Sequence, residues 1–419
     1  MRFVINGGKK LKGEILVAGS KNAATPVIAA TLLTEHPCII SNIPRIDDVH
    51  TMLDILASMG SKQRWIDDHT VEIINDEINS ENLDQILVKK IRSSILIVGP
   101  MLARFGKVKF SIPGGCSIGA RPIDTHLNAF ENFGADVKFD EKKELYEITL
   151  GDAFKKEIVL REFSVTATEN ILMLGVKYPV IVKLAAQEPH VVCLGEFLGK
   201  LGADISGLGT HNITMAPDGK NLKRIEHRIV NDYLEMSTFA ILGAATKSDI
   251  AVSGIYQDQI DSVLAKFRDM GIIFEIKGNK LYIFGTKSKI KSSKIDTRIY
   301  PGIPTDIQAL FGVLATQAYG KTLIFDTLYD GRLKYIDELK KMGAKARILD
   351  PHRAEIEGPT DLNGTEVQSL DLRAGATLLV AALTARGKSV IGRAEQIDRG
   401  YEKLDERLRK LGANIKRVA

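Results

Sequence analysis

Residues 127–140 read "LNAFENFGADVKFD". An amphipathic run ends in Phe133, Gly134 follows, and a stretch of alternating apolar and polar residues comes next. Alternation of that kind predicts a half-buried strand, and the run before it predicts a helix. Glycine is the expected helix C-terminal residue because it takes the left-handed conformation cheaply. The stretch therefore reads as helix, glycine stop, strand.

The same phrase recurs along the chain. It appears as "LDILASMGSKQRWI" (53–66), "GEFLGKLGADISGL" (195–208), "VLAKFRDMGIIFEI" (263–276), "IDELKKMGAKARIL" (336–349) and "DERLRKLGANIKRV" (405–418). The glycines are Gly60, Gly134, Gly202, Gly271, Gly343 and Gly412, spaced 68–74 residues apart. A fixed period of this kind marks an internally repeated architecture.

Each copy is preceded by a more apolar segment: "NAATPVIAATLL", "SSILIVGPMLARFG", "ENILMLGV", "MSTFAILGAAT", "DIQALFGVLATQAYG" and "AGATLLVAALTARG". A helix that is apolar on most faces is a buried helix. Each unit thus supplies one interior helix, one surface helix and several strands. Six units make six α/β modules, most simply three per domain. A six-unit solenoid is the alternative, but helices this apolar need to be surrounded, which favours two closed globules.

The bulk numbers agree with that reading. The chain has 419 residues, 44% of them hydrophobic and 26% charged, with a net charge of +5. That length suits two domains of an ordinary globular protein. The basic residues are dispersed, so no nucleic-acid partner is implied. The apolar runs stop short of the ~20 residues a membrane helix needs, and the first residues alternate like a strand instead of forming a signal-peptide core. Cys38, Cys116 and Cys193 are far apart and form no CxxC pair. Reduced thiols in a cytoplasmic protein are expected, and no metal or other cofactor is implied.

Charged and polar residues stand at the approaches to the interior segments: Lys21, Asn22, Arg92, Glu169, Glu235, Asp306, Asp371 and Arg373. Helix capping and the helix dipole explain acids there. They do not explain Lys21, Arg92 and Arg373, because cations at helix N-termini are disfavoured unless an anion lies between them and the dipole. Several interior helices are therefore expected to face a cleft between the domains that binds a multiply anionic small molecule. Cys116 adds a second signal. It sits in "PGGCSIGARP" (113–122), a glycine-rich loop five residues before Arg121, the setting of a reactive thiol.

The segments "GSKNAATP" (19–26), "IRSSILIVGPMLARFG" (91–106), "PGGCSIGARPIDTH" (113–126), "PTDIQA" (304–309), "LDLRAGA" (370–376) and "IDRGYE" (397–402) together resemble the enolpyruvyl transferases over the full chain. The resemblance implies a two-domain inside-out α/β barrel of six βαβαββ repeats, three per domain. It places one domain at 21–229 and the other at 1–20 plus 230–419. The implied reaction moves the enolpyruvyl group of phosphoenolpyruvate to a uridine nucleotide sugar, at the 3-hydroxyl of UDP-N-acetylglucosamine, and releases phosphate. That is the first committed step of peptidoglycan synthesis.

The resemblance also implies roles. Cys116 is similar to the general acid that protonates phosphoenolpyruvate and can bond to it covalently. Asp306 is similar to the group that accepts the proton of the attacking hydroxyl. Lys21, Arg121 and Arg399 are similar to the cations around the phosphate, and Lys21 and Arg399 count with Cys116 and Asp306 as catalytic. Arg332 and Arg373 are similar to the cations on the carboxylate, with Arg399 and Asn22 nearby. Asn22, Arg92, Arg121, Pro122, Ile123, Asp124, His126 and Asp306 are similar to the nucleotide-sugar contacts, with Pro122 and Ile123 against the uracil. No obligate protein partner is implied.

Some positions depart from the family's pattern. Asp47 and Glu162 fall where a lysine is common, Thr166 where a glycine is usual, and Tyr233 where an arginine is usual. "YDGR" (329–332) and "AEQIDRG" (394–400) also differ. Losing cations near a diphosphate lowers its attraction, though Arg45, Arg161 or Lys223 are available to compensate. Two further readings therefore stay open at this level: transfer to another, UMP-like uridine nucleotide, or a non-catalytic nucleotide-sugar-binding paralogue. Retention of both Cys116 and Asp306 favours catalysis.

Overall fold

A computed structural model describes residues 1–114, 122–219 and 224–418. The chain divides into two compact units, one built from Met1–Ala18 with Asn231–Ala419, the other lying within 19–230. Each has its own hydrophobic core, with Phe3, Phe239, Phe311 and Tyr335 in the first and Phe130, Phe133 and Phe197 in the second. Two separate cores rule out the six-unit solenoid.

Among the described residues, each unit carries three sheets. Five sheets have four strands, with one parallel pair extended by antiparallel neighbours, and the sixth has three strands. In the first unit, Arg2–Asn6 lies between Lys388–Gly392 and Asn414–Val418, antiparallel to both, with Arg2 opposite Gly392 and Val418. Lys12–Leu16 runs parallel to Asp249–Ser253. The first residues of the chain therefore complete two sheets whose other strands come from beyond residue 248.

The six apolar segments are the interior helices. In the first unit these are Tyr233–Ala245, Thr305–Thr316 and Leu372–Thr384. Every residue of Tyr233–Ala245 is buried. The Thr305–Thr316 helix packs against both others. In the second unit they are Lys21–Ala30, Val98–Phe105 and Val165–Gly175. The second begins differently from expectation. Arg92–Ile97 is a 3-10 helix that passes into the α-helix at Val98. Its tighter winding presses against the Lys21–Ala30 helix. Fully burying a Leu or Ile contributes about 1.5–3 kcal/mol, so these helices anchor their units.

The six predicted glycine stops are all left-handed, with φ between 73° and 120°. At Gly134 a Cβ would also collide with the carbonyl oxygen of Ala153. No other residue serves there, because an L side chain pays a steric penalty at that φ.

Candidate active site

In the first unit, Asp306 occupies the first turn of the Thr305–Thr316 helix, where the helix dipole favours an acid. Two arginines reach it from other elements. Arg332, at the start of a short 3-10 turn, donates from Nη2 to Oδ1 at 2.6 Å. Arg373, in the first turn of Leu372–Thr384, holds Nε 4.0 Å from Oδ2. The Asp306 side chain is 26% exposed, against 11% for Arg332 and 7% for Arg373. The carboxylate is therefore the solvent-facing member of the cluster. Burial pulls the Arg332 guanidinium down, but Asp306 and Asp371 outweigh it and hold it above its ordinary value. The same balance holds for buried Arg373, where Tyr401, Asp306 and Asp232 oppose burial.

Three features keep this cluster in place. Asp371 caps the Leu372–Thr384 helix, accepting from the backbone N–H of Arg373 and Ala374 at 2.7 and 2.9 Å. Nη1 of Arg373 donates to the Tyr401 hydroxyl at 3.2 Å. Arg332 lies over the ring of Tyr329, 5.4 Å from its centre, so the altered "YDGR" segment supplies a cation–π platform. Arg399 is half-buried just past Glu395–Asp398, with Nη1 3.5 Å from Oε1 of Gln396.

In the second unit, Ser20 caps the Lys21–Ala30 helix and Lys21 is its first residue. Its ammonium is 2.7 Å from Oδ2 of Asp48, whose side chain is only 4% exposed. A cation at a helix N-terminus is thus stabilised by an acid from the Asp47–Ser58 helix. Asn22 is half-buried beside it. Arg92 donates from Nη2 to the Pro122 carbonyl at 2.8 Å. Pro122 and Asp124 are exposed, and Asp124 opens the Asp124–Phe133 helix. Ile123 is 4% exposed and packs into the core, so its side chain is spent on packing. His126 is buried and its Nε2 lies 2.7 Å from Oγ1 of Thr166. Thr125 donates to Glu162 at 2.9 Å. Two of the family departures, Glu162 and Thr166, therefore grip this helix. Cys116, Arg121 and Lys223 lie outside the described residues.

The grouping of charged helix approaches needs correction at three positions. Glu235 accepts both Nη1 and Nη2 of Arg407, at 2.6 and 2.9 Å, and the Ala18 backbone N–H at 2.7 Å. It pins the chain where the N-terminal strands join the unit, with both oxygens engaged by Arg407. Asp371 is a cap. Glu169 is 1% exposed inside its helix, and burial together with Glu188 raises its carboxyl well above the ordinary range. Asp48, Tyr401 and Arg407 were not singled out by their sequence context, because each acts through a partner distant in the chain.

Among the described residues, no group of three His, Cys, Asp or Glu side chains is arranged to hold a metal ion. Nor is any helix among them long and apolar enough to cross a membrane.

Comparison with known proteins agrees with the architecture. The family described as EPSP synthase (3-phosphoshikimate 1-carboxyvinyltransferase) is matched by residues 5–408. A UDP-N-acetylglucosamine 1-carboxyvinyltransferase of Campylobacter hominis is 41% identical over 418 residues, covering 99% of each chain. UDP-N-acetylglucosamine 1-carboxyvinyltransferase 1 of Carboxydothermus hydrogenoformans is 41% identical over 420 residues, with 100% and 98% covered. The crystal structure of the enolpyruvyl transferase NikO from Streptomyces tendae superposes with a TM-score of 0.88 at 21% identity, over 99% and 98% of the two chains. EPSP synthase from Acinetobacter baumannii superposes at 0.76 with 20% identity over the whole of both chains, which speaks for the fold alone. A repeat-built pair of units, matched end to end by these relatives, makes this chain a member of the enolpyruvyl (carboxyvinyl) transferase family.

Proposed function

We propose that this enzyme transfers the enolpyruvyl group of phosphoenolpyruvate to the 3-hydroxyl of UDP-N-acetylglucosamine and releases phosphate, opening peptidoglycan synthesis in the cytoplasm. The observation that carries this reading is the Asp306 carboxylate held between Arg332 and Arg373 at the head of an interior helix. Such a cluster offers a base next to two cations that suit a planar carboxylate. The relatives that share two residues in five over the full length carry the name of this reaction.

The roles follow from the chemistry. Cys116 delivers a proton to C3 of phosphoenolpyruvate, which makes C2 electrophilic. The sugar oxygen adds to C2 while its proton passes to Asp306. Loss of a proton from C3 and expulsion of phosphate restore the double bond, cutting the C–O bond of phosphoenolpyruvate. Arg332 and Arg373 hold the carboxylate. Lys21, Arg121 and Arg399 neutralise the phosphate and its departure, with Asn22 beside Lys21. Arg92, Arg121, Pro122, Ile123, Asp124 and His126 serve the nucleotide sugar, Ile123 through its backbone.

The test is phosphate release from phosphoenolpyruvate with UDP-N-acetylglucosamine, UMP or shikimate 3-phosphate as acceptor. Turnover with the first alone is expected. Turnover with UMP and not with the nucleotide sugar would overturn the acceptor assignment.

A further inference from the structure

We propose that Tyr401 is a positioning residue that sets the guanidinium of Arg373 for the carboxylate of phosphoenolpyruvate; this rests on the assignment of Arg373 above. Tyr401 is 1% exposed, and its hydroxyl lies between Arg373 Nη1 at 3.2 Å and Thr238 Oγ1 at 2.9 Å. The direction of the chain can be worked out from its far end. The Thr238 hydroxyl donates its one proton to the Leu234 carbonyl at 2.8 Å. With its proton on that carbonyl, Thr238 accepts from Tyr401. The Tyr401 oxygen, having given its proton to Thr238, turns a lone pair to Arg373.

The result is a one-way series: Arg373 to Tyr401 to Thr238 to the Leu234 carbonyl. Bonds aligned in this way polarise one another, which strengthens the acceptor that Arg373 meets. The Arg373 guanidinium carbon also lies 5.5 Å from the Tyr401 ring centre, so ring and hydroxyl constrain the same group. Burial raises the phenol above its ordinary value, which keeps the proton the series needs. Asp306 and Asp232 flank the cation electrostatically. Neither prescribes an orientation as closely as a hydrogen bond and a ring face do, since Asp306 stands at 4.0 Å. Tyr401 further ties the Leu372–Thr384 helix to Tyr233–Ala245, because Arg373 lies in the first turn of one and Thr238 lies in the other.

Tyr401→Phe keeps the ring and removes only the hydroxyl, and Thr238→Val removes the next member of the series. Steady-state kinetics with phosphoenolpyruvate and UDP-N-acetylglucosamine, with Arg373→Lys as control, tests the proposal. Tyr401→Phe should raise KM for phosphoenolpyruvate roughly tenfold, with kcat and the acceptor KM within about threefold of wild type. Thr238→Val should shift the same parameter in the same direction by less. An unchanged acceptor KM shows that each variant is folded. If Arg373→Lys raises the phosphoenolpyruvate KM and neither Tyr401→Phe nor Thr238→Val does, the positioning role is wrong while the Arg373 assignment stands. If Arg373→Lys leaves it unchanged, the assignment itself fails, and the proposal with it.

Discussion

Asp306 accepts a 2.6 Å hydrogen bond from Nη2 of Arg332 through one oxygen and faces Nε of Arg373 at 4.0 Å through the other. Asp306→Ala should lower kcat by about 10²–10⁴-fold, the usual share of a general base. Binding of the nucleotide sugar, read by calorimetry, should stay measurable. Near-normal turnover would mean that another group takes the proton.

The Lys21 ammonium depends on Asp48, buried on a neighbouring helix 2.7 Å away. Asp48→Asn leaves the size unchanged and removes the charge. A lost charge-assisted hydrogen bond of this kind costs about 1.5–3 kcal/mol. Thermal melts should show a fall of several degrees, together with a weaker response to phosphoenolpyruvate, which normally stabilises the fold by binding.

Glu235 and Arg407 form a bidentate pair between positions far apart in the chain, with side chains 4% and 17% exposed. Removing one partner of such a pair strands the other and costs about 3–5 kcal/mol. Glu235→Ala should therefore lower the urea midpoint sharply. A Glu235→Leu/Arg407→Leu double variant should recover part of that loss, since it strands neither charge.

The thiols separate cleanly. Burial pushes Cys38 up to about 12 and Cys193 up to about 11, so both stay protonated and unreactive in the native state. Fosfomycin, an epoxide that resembles phosphoenolpyruvate, should add once in the presence of the nucleotide sugar. Intact-mass analysis should show that single adduct in wild type and none in Cys116→Ser.

Burial and Lys200 push His227 down to about 4 from its ordinary 6.5. Between those values the unfolded chain binds the proton and the native chain does not, so stability rises with pH across that window. It is lost as pH falls from the higher value toward the lower. His227→Gln cannot titrate, and its melting temperature should fall less than that of wild type between neutral pH and the lower end of the window. Parallel declines would show that His227 is not the group responsible.

The six-fold repeat is legible because glycine stops and apolar helices are local features that a period exposes. All six stops are left-handed as read. Arg332, Arg373 and Asp306 are legible through their segments, and the resemblance assigns them to one reaction; the contacts that join them are not legible, since these depend on how three elements fold together. The same limit hides Asp48 behind Lys21 and Arg407 behind Glu235. Glu235 and Glu169 look like ligand groups in a list of helix approaches, and only burial and partners assign one to a clamp and the other to the interior. The 3-10 turn at Arg92–Ile97 has no signal in composition, because its apolar residues suit either winding.

In the proposed reaction phosphoenolpyruvate loses its phosphate by C–O cleavage while its enolpyruvyl group passes to the nucleotide sugar. Mass spectrometry of the products formed from phosphoenolpyruvate with heavy oxygen in the bridging position tests it directly. Heavy oxygen is expected in the released phosphate, together with an enolpyruvyl ether on UDP-N-acetylglucosamine. Unlabelled phosphate, with the heavy atom left on pyruvate and the nucleotide sugar unchanged, would contradict it.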